Sequence, residues 1–252
     1  MLISRNLCYS DVDGRGLELD HFVANESEHE TLVLLIHGGG WISGDRGMYE
    51  DEAQFLALQG VDCATVSYRL APLFQFPDCV EDIREAILFA KRELGYKQVL
   101  VLGNSAGGHL AAMSALDIKT MPEESQADGA ICICPITDMA DPRESHFPIS
   151  WSFVEQFLGS LDDEELCKQA SPIAYVNDRA SNMVLIHGED DDIVPVGQSE
   201  KFFEALNSAG IEAELHLMPG EMHSFTFGGW MQIRRIYLEA IRTMTAFPAG
   251  AN

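Results

Sequence analysis

The hydrophobic positions of the chain fall into short runs separated by polar turns. Six runs of four to six residues, each bounded by Gly, Asp, Asn or Pro, lie at residues 32–36, 63–66, 99–102, 130–134, 183–186 and 213–218. Short runs rich in Leu and β-branched residues predict strands that are buried on both faces of a parallel sheet. Residues 3–8 and 17–22 predict edge strands that enter the sheet antiparallel.

Helical patterns lie between most of these runs. Apolar residues recur at spacings of three or four, the period of one helix face, at Val80, Ile83, Ile87, Ala90 and Leu94, and again at Ile233, Ile236, Ala240 and Met244. Strands that alternate with helices predict a doubly wound α/β sheet with helices on both faces. With 252 residues, the chain is expected to form a single domain over residues 1–252.

Residues 136–180 interrupt this alternation, because no strand pattern occurs there. The segment carries the aromatic residues Phe147, Trp151, Phe153 and Phe157. An insertion of this size usually covers a site, so the sequence predicts a small helical lid or cap. Phe147, Trp151 and Phe157, together with Trp41, are candidates for the wall of a substrate pocket, although each also fits ordinary core packing.

The net charge of the chain limits the kinds of molecule that it is expected to bind. The chain has 40 Asp and Glu against 16 Lys and Arg, a net charge of −24. Nucleic acids and anionic membranes are bound by clustered basic residues, so we expect neither as a partner. No stretch approaches the roughly 20 apolar residues of a membrane span. The N-terminus lacks the apolar run of a signal peptide, which predicts a cytoplasmic protein.

A candidate nucleophile follows one of the predicted strands. Gly103-Asn104-Ser105-Ala106-Gly107 matches G-x-S-x-G between the run at 99–102 and an apolar, helix-like segment. In this context a sharp strand-to-helix turn exposes the serine hydroxyl, and the small flanking residues let the backbone pass. A packing turn built on glycine is the structural alternative. We predict that Ser105 is a nucleophile.

A glycine-rich loop follows the run at 32–36, with the sequence His37-Gly38-Gly39-Gly40-Trp41. Three consecutive glycines allow successive backbone N–H groups to converge on one point, as an oxyanion hole requires. We predict that the N–H groups of Gly39 and Gly40, with that of Ala106, form this hole. A flexible glycine turn is the alternative.

An acidic loop and a histidine loop follow the last two predicted strands. Glu189, Asp190, Asp191 and Asp192 come after the run at 183–186, and His223 comes after the run at 213–218. A serine nucleophile needs a base, and the base needs a carboxylate that orients it. The order serine, acid, histidine is that of α/β-hydrolases. His223 is therefore the predicted base, with an acid from the 189–192 run.

Other histidines and the cysteines suggest no second chemistry. His109 is expected to pack or cap in the helix after Ser105, and His37 and His187 to hydrogen-bond the backbone of their loops. Six cysteines include no C-x-x-C pair, and Cys132 and Cys134 are expected to be free thiols on one strand face. A metal site from His37, His187 and the acidic run lacks a recognisable ligand spacing. We predict neither a metal nor a cofactor.

Several motifs resemble a known family. HGGGW at 37–41, YRLAP at 68–72 and GNSAGG at 103–108 are similar to the α/β-hydrolase esterases related to hormone-sensitive lipase. The stretch H-G-x-x-D-x-x-V-P at 187–195 resembles compact acetyl and feruloyl esterases. In those loops the acid is the fourth residue after the histidine, which selects Asp191. The resemblance implies an α/β-hydrolase fold and the catalytic residues Ser105, Asp191 and His223.

These observations predict a serine carboxylesterase that hydrolyses short-chain acyl esters, a small-molecule substrate class. An amidase or arylformamidase, or a feruloyl-type esterase, with the same triad is the alternative among enzymes. A non-catalytic binding module is the alternative class, and the retained His223 argues against it. Residues 225–230 and the C-terminal helix are a candidate surface for a homodimer.

Overall fold

The strands expected from the hydrophobic runs are present in a computed structural model of the protein, which describes residues 1–25, 30–140 and 148–246. They are β1 (Leu2–Val12), β2 (Arg15–Val23), β3 (Thr31–Ile36), β4 (Asp62–Val66), β5 (Gln98–Asn104), β6 (Gly129–Ile133), β7 (Met183–Gly188) and β8 (Ala213–Met218). In β3, the five residues after Thr31 are all buried, as expected of a strand covered on both faces.

The strands form one sheet in the order β1-β2-β4-β3-β5-β6-β7-β8. The pairs from β4 to β8 are parallel, and β1 and β2 are antiparallel, which confirms the prediction for both parts of the sheet. Ile36 is in register with Val66 and with Gly103, and Asn104 is in register with Ile133. The loops that follow these strands therefore emerge at one edge of the sheet.

Helices connect the strands. They are α1 (Glu50–Leu58), α2 (Asp78–Arg92), α3 (Ala106–Ser114), α4 (Pro148–Leu158), α5 (Glu164–Gln169), α6 (Gly197–Ser208) and α7 (Phe227–Ala246). Single turns of 3-10 helix lie at Arg46–Tyr49, Glu123–Ser125 and Pro172–Tyr175. The predicted apolar stripe of α2 is confirmed, because Val80, Ile83, Ile87 and Ala90 are fully buried.

Two hydrophobic cores lie against the two faces of the sheet. One contains Ile83 of α2, Leu110 of α3 and Phe202 of α6. The other contains Leu56 of α1 and Tyr237 of α7. This arrangement is the predicted doubly wound α/β sheet, with helices on both faces.

The described part of the 136–180 insertion is helical. It contains α4, α5 and the Pro172–Tyr175 turn, with no strand among its described residues. Val154 and Phe157 of α4 are fully buried in the core on the α2–α3 face. The insertion is therefore anchored to the sheet through its own apolar side chains.

Cys132 and Cys134 are both buried and free, but the expectation that they share one face is wrong. β6 ends at Ile133, and Cys134 has a φ of 44°, which breaks the strand alternation. Cys132 packs in one core and Cys134 in the other.

None of the helices in the described part of the chain combines the length and the apolar character needed to cross a lipid bilayer.

Candidate active site

Ser105 lies at the sharp turn between β5 and α3. Its φ of 55° and ψ of −121° are unusual for a residue with a side chain, and such strain costs on the order of 1–3 kcal/mol. The N–H of Ser105 donates to the Ile133 carbonyl at 2.8 Å, which holds the turn against β6. A Cβ atom at Gly107 would collide with the Ile36 carbonyl, so glycine is required at this position. The predicted strained turn is therefore present.

The structure brings Ser105, His223 and Asp191 together. Nε2 of His223 is 3.0 Å from Oγ of Ser105, and Nδ1 of His223 is 2.7 Å from Oδ2 of Asp191. Asp191 follows β7 and His223 follows β8, and the two strands pair in register up to Gly188 and Met218. Three distant loops thus form one hydrogen-bonded series.

The carboxylate of Asp191 is buried and accepts several hydrogen bonds. Oδ1 accepts the N–H groups of Ile193 at 2.9 Å and Val194 at 2.8 Å. Burial opposes its ionisation, but hydrogen bonds from His187 and His223 prevail and hold the pKa of Asp191 well below its ordinary value. The carboxylate is therefore ionised at neutral pH and can orient His223.

This low pKa has a consequence for acid stability. A carboxylate whose pKa is depressed by folding stabilises the protein above its unfolded pKa of about 3.9, and the stabilisation is lost as the pH falls toward the lower folded pKa. We expect the difference in free energy of unfolding between wild type and Asp191→Asn to shrink from about pH 5 to about pH 2. Wild type and variant share every other carboxylate, so the difference between them, measured by urea denaturation at each pH, reports Asp191. A constant difference would contradict the assignment.

The glycine-rich loop after β3 packs directly against the Ser105 turn. A Cβ atom at Gly38 would lie 3.0 Å from the backbone carbonyl oxygen of Asn104. Gly39, Gly40 and Trp41 have φ values of 107°, 61° and 61°, all in the left-handed region. The Gly39 carbonyl accepts the N–H groups of residues 42 and 43, both at 3.2 Å, which closes the loop into a tight turn. Gly39, Gly40 and Ala106, the three predicted oxyanion donors, thus belong to two segments in contact.

Two of the predicted pocket aromatics are core residues. Trp41 is 2% exposed and stacks on Phe157, with ring centroids 4.4 Å apart, and Phe157 is fully buried. Nε1–H of Trp41 donates to Nδ1 of His109 at 3.2 Å, and Nε2–H of His109 donates to the Ala170 carbonyl at 2.9 Å. Burial lowers the pKa of His109 to about 4, so its ring is neutral and suited to this role. Trp41 and Phe157 therefore pin the insertion to the glycine-rich loop, which corrects their placement on a pocket wall.

The remaining aromatics of the insertion differ in position. Phe147 lies outside the described residues, and Trp151 is half-buried on α4. Phe153, also half-buried on α4, was not selected from the sequence, yet a Cβ atom at Gly40 would lie 2.9 Å from its ring. Phe153 thus lies on the glycine-rich loop. Its position two residues after Trp151 was the only sequence signal, and spacing alone does not show which aromatic faces the loop.

His37 and His187 bind their own loops, as expected. Nδ1–H of His37 donates to the Gly38 carbonyl at 2.7 Å, and its ring stacks on Tyr68 with centroids 4.2 Å apart. Nε2–H of His187 donates to the Val194 carbonyl at 3.0 Å. Both rings shape the loops on which the site is built.

One cluster in the described residues has the donor types of a metal site. Ligand atoms of Cys134, His187 and Asp191 lie within 4.8 Å of one another. Each group is committed elsewhere, because His187 uses both ring nitrogens in hydrogen bonds and Asp191 binds His223. Burial, and then the charge of Asp191, raise the pKa of the Cys134 thiol well above its ordinary value, which disfavours the thiolate that a metal needs. The cluster is better described as a hydrogen-bonded packing of the acid loop.

Comparison with known proteins identifies relatives. The family model of BD-FAE matches residues 19–206. Esterase LipQ of Mycobacterium tuberculosis is 28% identical over 222 residues, which cover 81% of this chain and 52% of the relative. The probable isoprenylcysteine alpha-carbonyl methylesterase ICMEL1 of Oryza sativa is 26% identical over 251 residues, which cover 89% of this chain and 58% of the relative. The chain therefore spans about half the length of these curated relatives.

Solved structures match over nearly the whole chain. The butyrate-bound esterase Est2 of Thermogutta terrifontis has a TM-score of 0.80 at 26% identity, covering 98% of this chain and 96% of that one. The same esterase phosphonylated by sarin has a TM-score of 0.81 at 25% identity, covering 97% and 95%.

Proposed function

The chain belongs to the BD-FAE family and has the α/β-hydrolase fold that its motifs predicted, and from this premise we propose that it is a serine carboxylesterase of short-chain acyl esters. The observation that carries the proposal is the hydrogen-bonded series from Asp191 through His223 to Ser105. The named esterases among its relatives support the same reaction class.

The geometry supports an acyl-enzyme mechanism. Nε2 of His223 takes the Ser105 proton while Oγ attacks the ester carbonyl carbon, and the carbonyl electron pair moves to oxygen. The N–H groups of Gly39, Gly40 and Ala106 stabilise that oxyanion, each typically by about 3 kcal/mol. On collapse, the bond to the alcohol breaks and His223 protonates the leaving alcohol. Water then attacks the acyl-enzyme by the same route, which releases the acid and restores Ser105.

Asp191 has a distinct part in this cycle. Its carboxylate accepts the Nδ1–H of His223, which leaves the Nε2 lone pair facing the serine hydroxyl. It also stabilises the imidazolium that forms when His223 takes the proton. The reaction as written requires neither a metal nor a cofactor.

Phe153 supports the preference for short acyl chains. Its ring lies against Gly40, in the loop that would bind the oxyanion, and it belongs to α4 of the 136–180 insertion. A long acyl or alcohol group that extended past Gly40 would have to displace this ring. The butyrate bound to the Thermogutta terrifontis esterase is a short acid of the size proposed here.

Removing the Phe153 ring should relax this limit. We expect Phe153→Ala to raise kcat/KM for p-nitrophenyl octanoate, relative to the butyrate ester, by about tenfold, which corresponds to one further methylene accommodated in an apolar pocket. The measurement is a rate series across acyl lengths for wild type and variant. Phe203→Ala removes another half-buried ring, from α6, and is the matched control.

The series also decides between substrates. A matched anilide and a feruloyl ester, run beside the acyl series, test the amidase and feruloyl alternatives. The proposal expects the short acyl ester to be the fastest of these substrates. A wild type that prefers acyl chains beyond about ten carbons, or the anilide over the ester, would contradict it.

A further inference from the structure

A second histidine contacts the carboxylate oxygen that His223 contacts. Nε2 of His187 is 3.3 Å from Oδ2 of Asp191 and 3.0 Å from the Val194 carbonyl oxygen. Both of these neighbours accept hydrogen bonds and neither donates, so the neutral ring carries its proton on Nε2. His187 is fully buried at the end of β7, four residues before Asp191. Its one Nε2–H is therefore shared between the Val194 carbonyl and the acid.

Ser199 fixes this tautomer from the other side of the ring. Its Oγ is 2.7 Å from Nδ1 of His187, and it lies in the first turn of α6 with no solvent exposure. With the ring proton on Nε2, Nδ1 has a lone pair and the serine hydroxyl donates to it. The hydroxyl thus orients His187 as Asp191 orients His223.

We propose that Ser199 and His187 are positioning residues that hold Asp191 for catalysis, so that the site is a five-member series Ser199–His187–Asp191–His223–Ser105. The inference rests on the proposed function, because it assigns Asp191 the part of the orienting acid. Asp191 is then held by His187 of β7, which Ser199 of α6 orients, as well as by the backbone of its own loop.

The groups around Asp191 determine what loss of His187 would do. Oδ1 is held by the N–H groups of Ile193 and Val194, and the Cys134 thiol, kept neutral by burial and by Asp191, faces the same carboxylate. Oδ2 is shared between His187 and His223. Without the His187 donor, more of the negative charge on Oδ2 acts on His223. Protonated His223 is then stabilised, and the acid limb of the pH–rate profile moves to higher pH.

Two variants of His187 separate positioning from packing. His187→Asn keeps a polar atom near Ser199 but cannot reach Asp191, whereas His187→Gln can place an amide N–H at the Nε2 position. With p-nitrophenyl butyrate, we expect His187→Asn to lower kcat by about 30-fold and to change KM little. The acid limb of its pH–rate profile should lie at higher pH than that of wild type. His187→Gln should keep kcat within about fivefold of wild type and leave the acid limb of the pH–rate profile unchanged. His21→Asn, at a buried histidine on β2, controls for destabilisation.

Ser199→Ala tests how the His187 ring is oriented. Without the hydroxyl, the buried Nδ1 atom has no donor and the ring is no longer held toward Asp191, so we expect kcat to fall about fivefold. Ser114→Ala removes an equally buried hydroxyl, which donates to the Leu110 carbonyl within α3, and should leave kcat unchanged.

A spectroscopic readout separates this inference from the proposed function. In the Ser105→Ala background, which needs no turnover, the downfield proton signal of His223 Nδ1–H should move further downfield in His187→Asn and stay in His187→Gln. If the wild type had no esterase activity, the proposed function would be refuted, but this signal would still test the contact between His187 and Asp191. An unmoved signal and acid limb in His187→Asn, or equal losses of kcat in Asn and Gln, would overturn the inference.

Discussion

Replacement of Ser105 by alanine is expected to lower kcat for p-nitrophenyl butyrate by about five to six orders of magnitude. Alanine removes the Oγ atom that lies 3.0 Å from Nε2 of His223, so no acyl-enzyme can form. The glycine-rich loop after β3 remains, and the residual rate should stay above that in water. The measurement is steady-state hydrolysis at saturating substrate.

The loss should come without a change of fold. The strained φ of 55° at position 105 costs about the same for alanine as for serine, because both have a Cβ atom. The contacts that hold the turn in wild type should therefore hold it in the variant. Ser114→Ala, in the same connection from β5, removes a hydroxyl away from His223 and is the matched control. Retained turnover in a correctly folded Ser105→Ala protein would refute the nucleophile.

Replacement of Asp191 by asparagine is expected to lower kcat by about four orders of magnitude. An amide can donate to Nδ1 of His223, which favours the tautomer with the proton on Nε2, facing Ser105. The ring then cannot take the serine proton. KM should change little, because Asp191 is buried and its contacts are with the protein.

The neighbouring acids supply the controls. Asp190 and Asp192 flank Asp191 in the same loop but are exposed. Asp190→Asn and Asp192→Asn should leave kcat within about twofold of wild type, since exposed charges contribute little. If kcat fell as far in either variant as in Asp191→Asn, the assignment of Asp191 as the catalytic acid would be wrong.

Much of the fold could be predicted because its apolar pattern has a direct physical cause. The run at 32–36 is apolar throughout because β3 is buried on both faces, and Ile83 and Ile87 recur with the helix period because α2 packs one face on the sheet. The loops of Ser105, Asp191 and His223 could be placed at one edge for the same reason, since parallel strands align their carboxyl ends. Cys134 was misplaced because a left-handed residue ended the strand one position early.

The finer structure of the site depends on tertiary packing that no local pattern encodes. Trp41 and Phe157 are separated by more than a hundred residues, and their stacking decides that neither is free to line a pocket. Phe153 differs from Phe157 by one helical turn, yet it is the ring that contacts Gly40. His187 was expected to bind its loop and does, but its contact with Asp191 depends on how that loop folds back.

The most direct test of the central claim is to find which atom reacts with an organophosphate. Treatment with diethyl p-nitrophenyl phosphate, followed by intact-mass and peptide mass spectrometry, should show one diethylphosphoryl group per chain on Ser105, much slower labelling in Asp191→Asn and His223→Gln, and none in Ser105→Ala. Labelling of another residue, or equal rates in wild type and the Asp191 and His223 variants, would contradict the account.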